Sequence, residues 1–436
     1  MSSWRQALEV YRDRRMLAIL CMGFSSGLPL PLTFGTLSYW LSEAGVSRTA
    51  IGLFVLVGFS YNYKFLWSPF IDRLPLPWLT GRLGRRRSWA IVIQLLLMAA
   101  IFALGQTDPK ADLATMALLS VVVAFLSASQ DIVIDAYRIE LLRPDEQGAG
   151  AAATQWGYRI GLLAASTGAF DAAAFGGWRF SYTIMAALML VGVVTVLLTR
   201  EPAVIDIGVP RQAEASALER AAEWARGAVV MPFSDFMRRR GWLLILAFIV
   251  LYKFGEALAG SMANPLYQEL GFTKLEVGNI GKIVSFAASL SGVALGGTMV
   301  ARLGVFSALL LGGVLQMVSN LLYVALLLAG HSDLMLAASI FGENFTGGMA
   351  SAAFVAYLSG LCSLAFTATQ YALFSSIAAV PTRFLSAPGG WLVDRVDWAP
   401  FFLMATAACL PSLALLLWMR RLLDVELPPR GASLAK

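Results

Sequence analysis

Hydrophobic residues along this 436-residue chain fall into twelve long runs separated by short polar segments. Each run is long enough to cross a hydrocarbon layer of about 30 Å at about 1.5 Å of rise per residue. The pattern predicts twelve membrane-spanning helices, at residues 16–41, 49–71, 88–105, 113–137, 149–174, 180–199, 241–268, 277–301, 304–329, 334–361, 365–393 and 398–419. We therefore expect an all-α membrane protein, because little chain remains outside the bilayer.

Basic residues are concentrated in every second segment between the runs. The two termini and the even-numbered connections hold 23 of the 33 lysines and arginines, whereas the odd-numbered connections hold 5. Connections rich in lysine and arginine face the cytoplasm, so both termini are predicted to be cytoplasmic. The net charge of +6 then reflects topology, and we do not interpret it as a nucleic-acid binding surface.

One long connection divides the runs into two groups of six. We predict an N-terminal six-helix bundle over residues 1–200, a cytoplasmic linker over 201–240, and a C-terminal six-helix bundle with a short tail over 241–436. Apolar residues within the linker recur at helical spacing opposite charged ones, which is typical of an amphipathic helix on a membrane surface.

Few residues suggest metal or covalent chemistry. Cys21, Cys362 and Cys409 lie among the predicted spans, which indicates small buried side chains instead of disulfides. His331 is the only histidine, so we expect no histidine metal site. No H-E-x-x-H sequence occurs, and the segment ending at Lys282 lacks the spacing of a phosphate-binding loop. We expect neither an enzyme nor a cofactor.

Ionisable side chains inside predicted spans are costly, and each is a candidate functional residue. The first half holds two cations and two carboxylates at similar depths, with three polar companions: Lys64, Asp131, Asp135, Arg159, Gln130, Gln155 and Tyr158. The four charges can neutralise one another, so a network that only holds helices together is the alternative to a binding site. We favour a functional role for Asp131, Lys64 and Arg159.

The second half carries charged and amide side chains in the same way. They are Lys253, Glu256, Lys282, Gln316, Asn320, Glu343, Asn344 and Gln370. A carboxylate that loses its cationic partner in a low-dielectric cavity holds a proton more readily. The candidate proton-coupling residues are therefore Asp131, Asp135, Glu256 and Glu343. We expect Glu140 to be dispensable, because it lies at the predicted cytoplasmic edge, where a charge costs little.

The first predicted span contains Gly27, Pro29, Pro31 and Gly35. Proline removes a backbone donor and clashes with the preceding turn, and an interrupted helix is tolerated in a membrane where it lines protein or a watered cavity. We predict a cavity lining that includes Gly27 and Thr33, with a simple kink as the alternative. The rings of Tyr61 and Tyr158 are candidates to stack on a sugar ring, and packing is their alternative role.

The connection after the second span reads Ser68-Pro-Phe-Ile-Asp72-Arg73 and leads to a basic cluster that includes Arg85 and Arg86. It resembles the G-x-x-x-D-R-x-G-R-R connection of the major facilitator superfamily, although Ser68 or Pro69 stands at the glycine position and an insertion precedes the cluster. The resemblance implies two six-helix bundles. It also implies that Asp72 docks at a helix N-terminus of the other half, where the dipole favours an anion, and that Asp72, Arg73, Arg85 and Arg86 act in gating.

A more specific resemblance covers residues 16–420. It is carried by Gly27-Leu-Pro-Leu-Pro-Leu-Thr33, Lys64-Phe-Leu-Trp-Ser-Pro69, Ser129-Gln-Asp-Ile-Val-Ile-Asp-Ala136, Gly157-Tyr-Arg-Ile-Gly161, Leu251-Tyr-Lys-Phe-Gly-Glu256 and Ala368-Thr-Gln-Tyr-Ala-Leu373. These stretches resemble the AmpG-type muropeptide permeases. The resemblance implies proton-driven import of anhydro-muropeptides, from periplasm to cytoplasm across the bacterial inner membrane. It also implies a role in peptidoglycan recycling and, in some species, in β-lactamase induction.

A polar cavity suits a substrate with hydroxyl, acetamide and carboxylate groups. The substrate-binding candidates are Gly27, Thr33, Tyr61, Lys64, Gln130, Asp131, Gln155, Tyr158, Arg159, Lys253, Asn344 and Gln370. We expect a monomer with no metal. Two alternatives remain open: a related carrier for an anionic metabolite such as acetyl-coenzyme A, and a membrane sensor or scaffold without transport. The first requires more cationic cavity residues than the sequence offers, and a scaffold gains little from charge-balanced networks.

Overall fold

The computed structural model describes residues 9–202, 223 and 226–422, and all regular structure in these residues is helical. Nine helical stretches in this part of the chain are long and apolar enough to cross a membrane. The predicted class, an all-α membrane protein, is confirmed. The amphipathic helix predicted in the linker lies for the most part outside the described residues.

The helices of the first half follow the first six predicted spans. In chain order they are α1 (Arg14–Gly27), α2 (Pro29–Thr33), α3 (Gly35–Glu43), α4 (Arg48–Leu53), α5 (Phe59–Tyr63), α6 (Ser68–Arg73), α7 (Leu79–Leu83), α8 (Arg85–Gln106), α9 (Leu113–Leu141), α10 (Gln147–Leu163), α11 (Ala169–Leu188) and α12 (Leu190–Leu198). The Asp13 carboxylate caps α1 by accepting the Arg15 backbone N–H at 2.8 Å. Hydrogen bonds from the Arg15 side chain and backbone hold the pKa of Asp13 below its usual value.

The helices of the second half follow the other six predicted spans. They are α13 (Met231–Met237), α14 (Trp242–Glu269), α15 (Lys274–Leu303), α16 (Val305–Ser319), α17 (Leu321–Ala329), α18 (Asp333–Gly360), α19 (Thr367–Ala378), α20 (Gly389–Val396), α21 (Trp398–Ala407) and α22 (Leu410–Leu422). The tenth predicted span corresponds to α18, and the eleventh to α19 and α20. Neither belongs to the nine apolar stretches found in the described residues.

Several predicted spans are broken helices. Phe34, with φ −124° and ψ −96°, separates α2 from α3, so the interruption expected from the two prolines is present. The break borders a largely apolar cleft of about 580 Å³ lined by Leu30, Pro31, Phe34, Gly35, Thr36, Tyr39, Ser166 and Phe170. Gly177 has φ +79° inside α11, a conformation that glycine adopts without strain, and it divides the fifth span from the sixth.

Glycines bring α1 and α10 into close contact. A Cβ at Gly157 would lie 1.9 Å from the Leu20 carbonyl oxygen, and a Cβ at Gly161 would lie 2.2 Å from that of Phe24. Small residues spaced four apart let helix backbones approach in this way within membranes. The same device joins α15 to α18, where a Cβ at Gly292 would lie 2.0 Å from the Phe345 carbonyl oxygen.

The two halves meet at the end of the helices that carries the connections 74–84 and 142–146, here called the basic end. Near this end, α10 packs against α15 and α18, and α6 and α9 pack against α19. The Trp156 indole donates to the Leu290 carbonyl at 2.8 Å. Gly148 lies so close to α15 that a Cβ there would be 2.8 Å from the Gly297 carbonyl oxygen. The halves are therefore sealed together at the basic end.

Candidate functional site

A charged pair on α14 forms the centre of the site in the second half. Lys253 and Glu256 are three residues apart and form an ion pair of 2.8 Å. The Lys253 ammonium also donates to the Ser351 hydroxyl of α18 at 2.8 Å. The side chains keep 16% and 31% of their surface exposed, so solvent reaches both groups.

The guanidinium of Arg159, on α10 of the first half, lies within the range of an electrostatic interaction with the Glu256 carboxylate. No ion pair or hydrogen bond joins that guanidinium to any described residue, and its Nε atom is buried without a partner. A guanidinium presents several N–H donors in a planar fork that matches a carboxylate. Arg159 is thus available to an anionic group placed between the halves.

Asp131 and Lys64 form the corresponding group within the first half. The Ser26 hydroxyl donates to the Asp131 carboxylate, and the Lys64 ammonium interacts electrostatically with the same carboxylate. Lys64 is only 8% exposed. Within the described residues it makes no direct ion pair, so its charge is also available to a ligand.

The four charges of the first half, which the alternative to a binding site pairs with one another, form no direct ion pair among themselves in the described residues. Asp135 interacts electrostatically with Asp131, but its ion pair, at 3.5 Å, is with the Arg138 guanidinium. Arg159 instead faces a carboxylate of the other half. Helix spacing alone reveals charges at a similar depth, but it does not tell which neighbouring helix each one faces.

The amide side chains predicted to bind substrate differ in their surroundings. Gln130 is fully buried, and neither its oxygen nor its nitrogen has a partner among the described residues. Gln155 is half-buried on α10, four residues before Arg159. The Asn344 amide donates to the Ile340 carbonyl of its own helix at 2.9 Å.

The two aromatic candidates lie on either side of α1 and α2. The Tyr61 ring packs against Phe34 at 6.4 Å between centroids. The Tyr158 hydroxyl is close enough to interact electrostatically with Arg159. Tyr158 is therefore beside the site, whereas Tyr61 lies at the break between α2 and α3.

Two predicted substrate contacts in the first span have structural roles instead. A Cβ at Gly27 would lie 2.1 Å from the Tyr158 carbonyl oxygen, so this glycine is needed for the packing of α1 on α10. Thr33 is 1% exposed, and its hydroxyl donates to the Pro29 and Leu30 carbonyls at 3.2 and 3.1 Å. In this structure neither residue presents a free polar group to a ligand, and their assignment as substrate contacts stays a prediction.

Gln370 also has no group left for a ligand. Its oxygen accepts the Ser363 backbone N–H at 2.7 Å, and its nitrogen donates to the Pro232 carbonyl and the Asp235 carboxylate, both at 2.9 Å. The side chain is 1% exposed. Gln370 therefore ties α19 to α13 at the basic end, and its assignment as a substrate contact stays a prediction.

Asp72 connects the two halves at the basic end. Its carboxylate accepts the Thr369 backbone N–H at 3.2 Å and the Thr369 hydroxyl at 3.0 Å, in the first turn of α19. Arg86 lies 2.7 Å from the other carboxylate oxygen, and both side chains are at most 2% exposed. This is the helix-terminus contact that the resemblance implied, while a role in gating stays a prediction.

Glu140 belongs to the same cluster. Its carboxylate lies 2.5 Å from the Arg86 guanidinium, and its side chain is 3% exposed. Glu140 lies at the basic end, as expected, but its charge is enclosed by protein and paired with Arg86. Two carboxylates, Asp72 and Glu140, thus share the charge of one buried arginine.

The other gating candidates surround this cluster. The Arg73 guanidinium lies 5.0 Å from the centroid of the Phe366 ring, and its Nη2 donates to the Gly227 carbonyl at 3.5 Å. Arg85 interacts electrostatically with Asp72 and with Glu140. All four predicted gating residues therefore lie at the basic end.

Arg138 lies where the sequence pattern predicts only a basic connection, yet it has a role between the halves. Its side chain is 1% exposed, and it donates across the halves to the Ser359 hydroxyl of α18 at 3.1 Å. Its guanidinium also lies 5.5 Å from the centroid of the Tyr371 ring of α19. Arg138 follows Asp135 by three residues on α9. This spacing is the sequence signal that could have indicated an ion pair within the helix.

One group of side chains outside these clusters has metal-ligand chemistry. Ligand atoms of Glu276, His331 and Asp333 lie within 4.8 Å of one another among the described residues. His331 Nε2 is 3.5 Å from a Glu276 oxygen, and the other Glu276 oxygen accepts the Thr273 backbone N–H. These partners account for the arrangement as a histidine–carboxylate contact at the surface and a helix cap.

Comparison with known proteins relates the chain to transporters. It is 41% identical to a protein named anhydromuropeptide permease from Escherichia coli (strain K12), over 96% of this chain and 82% of that protein. It is 32% identical to a putative transporter named AmpG 4 from Rickettsia felis, over 96% of this chain and 99% of that one. A family model described as acetyl-coenzyme A transporter 1 matches residues 15–171.

Solved structures support the fold. The chain superposes on a major facilitator superfamily transporter, FucP, in the outward conformation, with a TM-score of 0.68 over 93% of this chain and 98% of that one, at 12% identity. A proton:xylose symporter, XylE, gives a TM-score of 0.64 over 93% and 94% of the chains, at 14% identity. At these identities the likeness concerns the fold alone.

Proposed function

The chain belongs to the AmpG family of anhydromuropeptide permeases, and from this we propose that it carries anhydro-muropeptides across the bacterial inner membrane. These substrates are disaccharides of N-acetylglucosamine and 1,6-anhydro-N-acetylmuramic acid, with or without a stem peptide. The proposed direction is from periplasm to cytoplasm, in the recycling of cell-wall fragments.

We propose twelve membrane crossings in two bundles of six, with residues 201–240 as the cytoplasmic linker and both termini in the cytoplasm. Helices lie over every predicted span, including α18 and the pair α19 and α20. The excess of basic residues at one end supports the orientation. The basic end would then be the cytoplasmic end.

The observation that carries the proposal is the Arg159 guanidinium, which has no ion pair with any described residue and interacts electrostatically with Glu256, the partner of Lys253. A muropeptide stem ends in carboxylates, and a buried arginine fork suits a planar anion. Lys64 offers a second cation without a direct ion pair in the described part of the chain. Sugar hydroxyls and acetamides need neutral partners, for which Gln130 and Gln155 are suited.

We propose alternating access between the two halves. The contacts between the halves at the basic end, through Asp72 and Arg138, support this proposal, because they would close a path to that side. A charge site between two halves can open to each side in turn when such contacts form and break. We propose that this conformation faces the periplasm.

We propose that the proton gradient drives uptake. Glu256 shares its charge with Lys253 and Arg159, so a substrate carboxylate that binds Arg159 leaves fewer cations for Glu256. A carboxylate deprived of its cations in a low-dielectric site takes up a proton. Asp131 beside Lys64 offers the same chemistry in the first half, and these two carboxylates are the candidate proton carriers.

The test is uptake of labelled anhydro-muropeptide into proteoliposomes with an imposed pH gradient, inside alkaline. We expect accumulation that a protonophore abolishes and that a sodium gradient does not restore. If accumulation persisted with protonophore and sodium present, the proton would not be the coupling ion. Absence of any saturable uptake or exchange would contradict the substrate.

Acetyl-coenzyme A is the second candidate substrate, favoured by the family model that matches residues 15–171. Its three phosphate groups require several cations, but Lys253 is already paired with Glu256. We therefore expect excess acetyl-coenzyme A to leave uptake of labelled muropeptide unchanged, whereas unlabelled muropeptide inhibits it. If acetyl-coenzyme A inhibited uptake at a concentration similar to that of unlabelled muropeptide, acetyl-coenzyme A would become the favoured substrate.

A further inference from the structure

The substrate site does not explain a set of polar side chains buried beyond it in the second half. Glu343 of α18 accepts a hydrogen bond from the Tyr323 hydroxyl of α17. The hydroxyl of Tyr267, on α14, interacts in turn with Tyr323 and with Ser339. These groups lie further from the basic end than Glu256 does, because α14 runs away from that end.

The surroundings of the two tyrosines are apolar. Tyr323 is fully buried and Tyr267 is 4% exposed, and both belong to a cluster with Leu266, Leu326 and Phe402. The Tyr323 ring stacks on Phe402 at 4.7 Å between centroids. Phenylalanine would pack equally well at either position, so the hydroxyl groups have another purpose than filling space.

Two glycines place Glu343 next to Glu256. A Cβ at Gly260 would lie 3.4 Å from a Glu343 oxygen, and a Cβ at Gly347 would lie 3.5 Å from a Glu256 oxygen. Gly260 is one turn, about 6 Å, beyond Glu256 on α14. The two carboxylates interact electrostatically, and bridging waters connect polar groups that are too far apart for a direct hydrogen bond.

We propose that Tyr267 and Tyr323 form a proton path from the end opposite the basic end to Glu343, and that Glu343 passes the proton to Glu256. Each tyrosine oxygen accepts a proton on one side and releases its own on the other, so neither ring changes its net charge. The path spans the 11 residues from Tyr267 to Glu256, about 16 Å of helix. Charged groups facing its inner end are Glu256, Lys253 and Arg159.

This inference rests on proton coupling in the proposed function. It assigns roles to Tyr267 and Tyr323, which line no part of the substrate site, and it makes Glu343 an intermediate carrier. Substrate binding and exchange would need only the Arg159 side of the site. Proton entry and substrate binding are therefore separable by mutation.

The experiment compares Tyr323→Phe, Tyr267→Phe and Glu343→Gln with wild type in proteoliposomes. An internal pH dye measures substrate-dependent proton uptake, and equilibrium exchange of labelled anhydro-muropeptide measures substrate translocation. We expect proton uptake to slow about tenfold in each variant, which corresponds to loss of one hydrogen bond to a charged group. Exchange is expected to stay within twofold of wild type, about the scatter of a neutral substitution.

The control is Tyr182→Phe, which removes another fully buried hydroxyl, one that donates to the Leu32 carbonyl at 2.9 Å. It should leave both rates unchanged. Equal slowing in the control, or equal loss of exchange and proton uptake in the path variants, would indicate a structural effect and overturn the inference. If one variant does not insert into the membrane, the other two variants test the proton path.

The outcome separates this inference from the proposed function. Wild-type transport without proton uptake would overturn both. Wild-type proton coupling that persists at full rate in Tyr323→Phe and Glu343→Gln would overturn the path alone and leave muropeptide transport in place.

Discussion

Arg159 is the residue whose chemistry most directly decides substrate affinity. Replacing it with Gln removes the planar fork and the charge, and loss of a charge-assisted contact costs about 2 kcal/mol, or roughly thirtyfold in the dissociation constant. Arg159→Lys should recover only part of this, because an ammonium does not form two parallel bonds. Binding of anhydro-muropeptide measured by calorimetry checks the series.

The control for this series is Arg179→Gln, which removes an exposed arginine from the first half. It should bind substrate like wild type. Unchanged affinity in Arg159→Gln would contradict a carboxylate contact and would leave Arg159 only its electrostatic interaction with Glu256.

Asp131 and Glu140 should fail in different ways, although both are buried carboxylates of α9. Asp131→Asn removes a proton-accepting group next to Lys64, so we expect no accumulation of substrate. Glu140→Gln removes one of the two carboxylates on Arg86, so we expect a lower initial rate with the final accumulation preserved. Time courses of uptake at equal insertion into the membrane distinguish these results. A normal plateau in Asp131→Asn would exclude this residue as the proton carrier.

For individual residues, the sequence identified the charged side chains that are costly to place in a membrane, but it did not identify the residues with which they pair. Lys253 and Glu256 pair as their spacing on one helix predicts. The burial of Arg138 and Glu140 could not be predicted, because it depends on α18, α19 and α8, which are distant in sequence. The partners of Gln370 were unforeseen for the same reason, since they lie on α13 and in the connection before α19.

At the scale of helices, glycine positions in α1 to α3 have different roles that a substitution can separate. A Cβ at Gly27 would lie 2.1 Å from the Tyr158 carbonyl oxygen, whereas nothing lies within 4 Å of a Cβ at Gly35. We expect Gly27→Ala to destabilise the protein by about 1–3 kcal/mol through overpacking of α1 on α10. Gly35→Ala should be tolerated. Thermal unfolding in detergent, monitored by size-exclusion chromatography, measures the stability of both variants.

A lower thermal midpoint in Gly35→Ala than in Gly27→Ala would contradict the packing of α1 on α10.

Helix positions were predictable from the twelve apolar runs, and the break at Phe34 was predictable from the neighbouring prolines. The division of the second span into α4, α5 and α6 was not, because short 3-10 segments depend on what the backbone packs against. The close approach of α1 and α10 was also unforeseen, since a glycine pattern does not name its partner helix.

At the scale of the whole molecule, the contacts at the basic end decide which side is open. Asp72 and Arg138 each reach the second half, and Gln370 fastens α19 to α13. The sequence indicated the Asp72 contact through its resemblance to a known connection. It did not indicate that a buried arginine, Arg138, also contacts the other half, because its partner Ser359 carries no charge to mark it.

Asp72→Asn should open the basic end. An asparagine keeps an oxygen for the Thr369 backbone N–H but loses the charge that faces Arg86 and the first turn of α19. We expect a cost of about 2 kcal/mol to the sealed conformation, a roughly thirtyfold shift toward opening at this end. Substrate affinity should change little, since the Arg159 site lies nearer the middle of the helices.

A native thiol reports this opening. Cys362 lies in the connection between α18 and α19, and burial raises the pKa of its thiol, which slows reaction with maleimides while the end is sealed. In a background of Cys21→Ser and Cys409→Ser, Asp72→Asn should increase the rate of Cys362 labelling in inside-out vesicles. The control Asp171→Asn, which changes an exposed carboxylate near the other end, should not.

Added anhydro-muropeptide should change the labelling rate in wild type as well, because a substrate that bridges the halves alters the same equilibrium. A labelling rate unaffected by Asp72→Asn, together with a collapse in substrate affinity, would place Asp72 in binding and remove it from the gate.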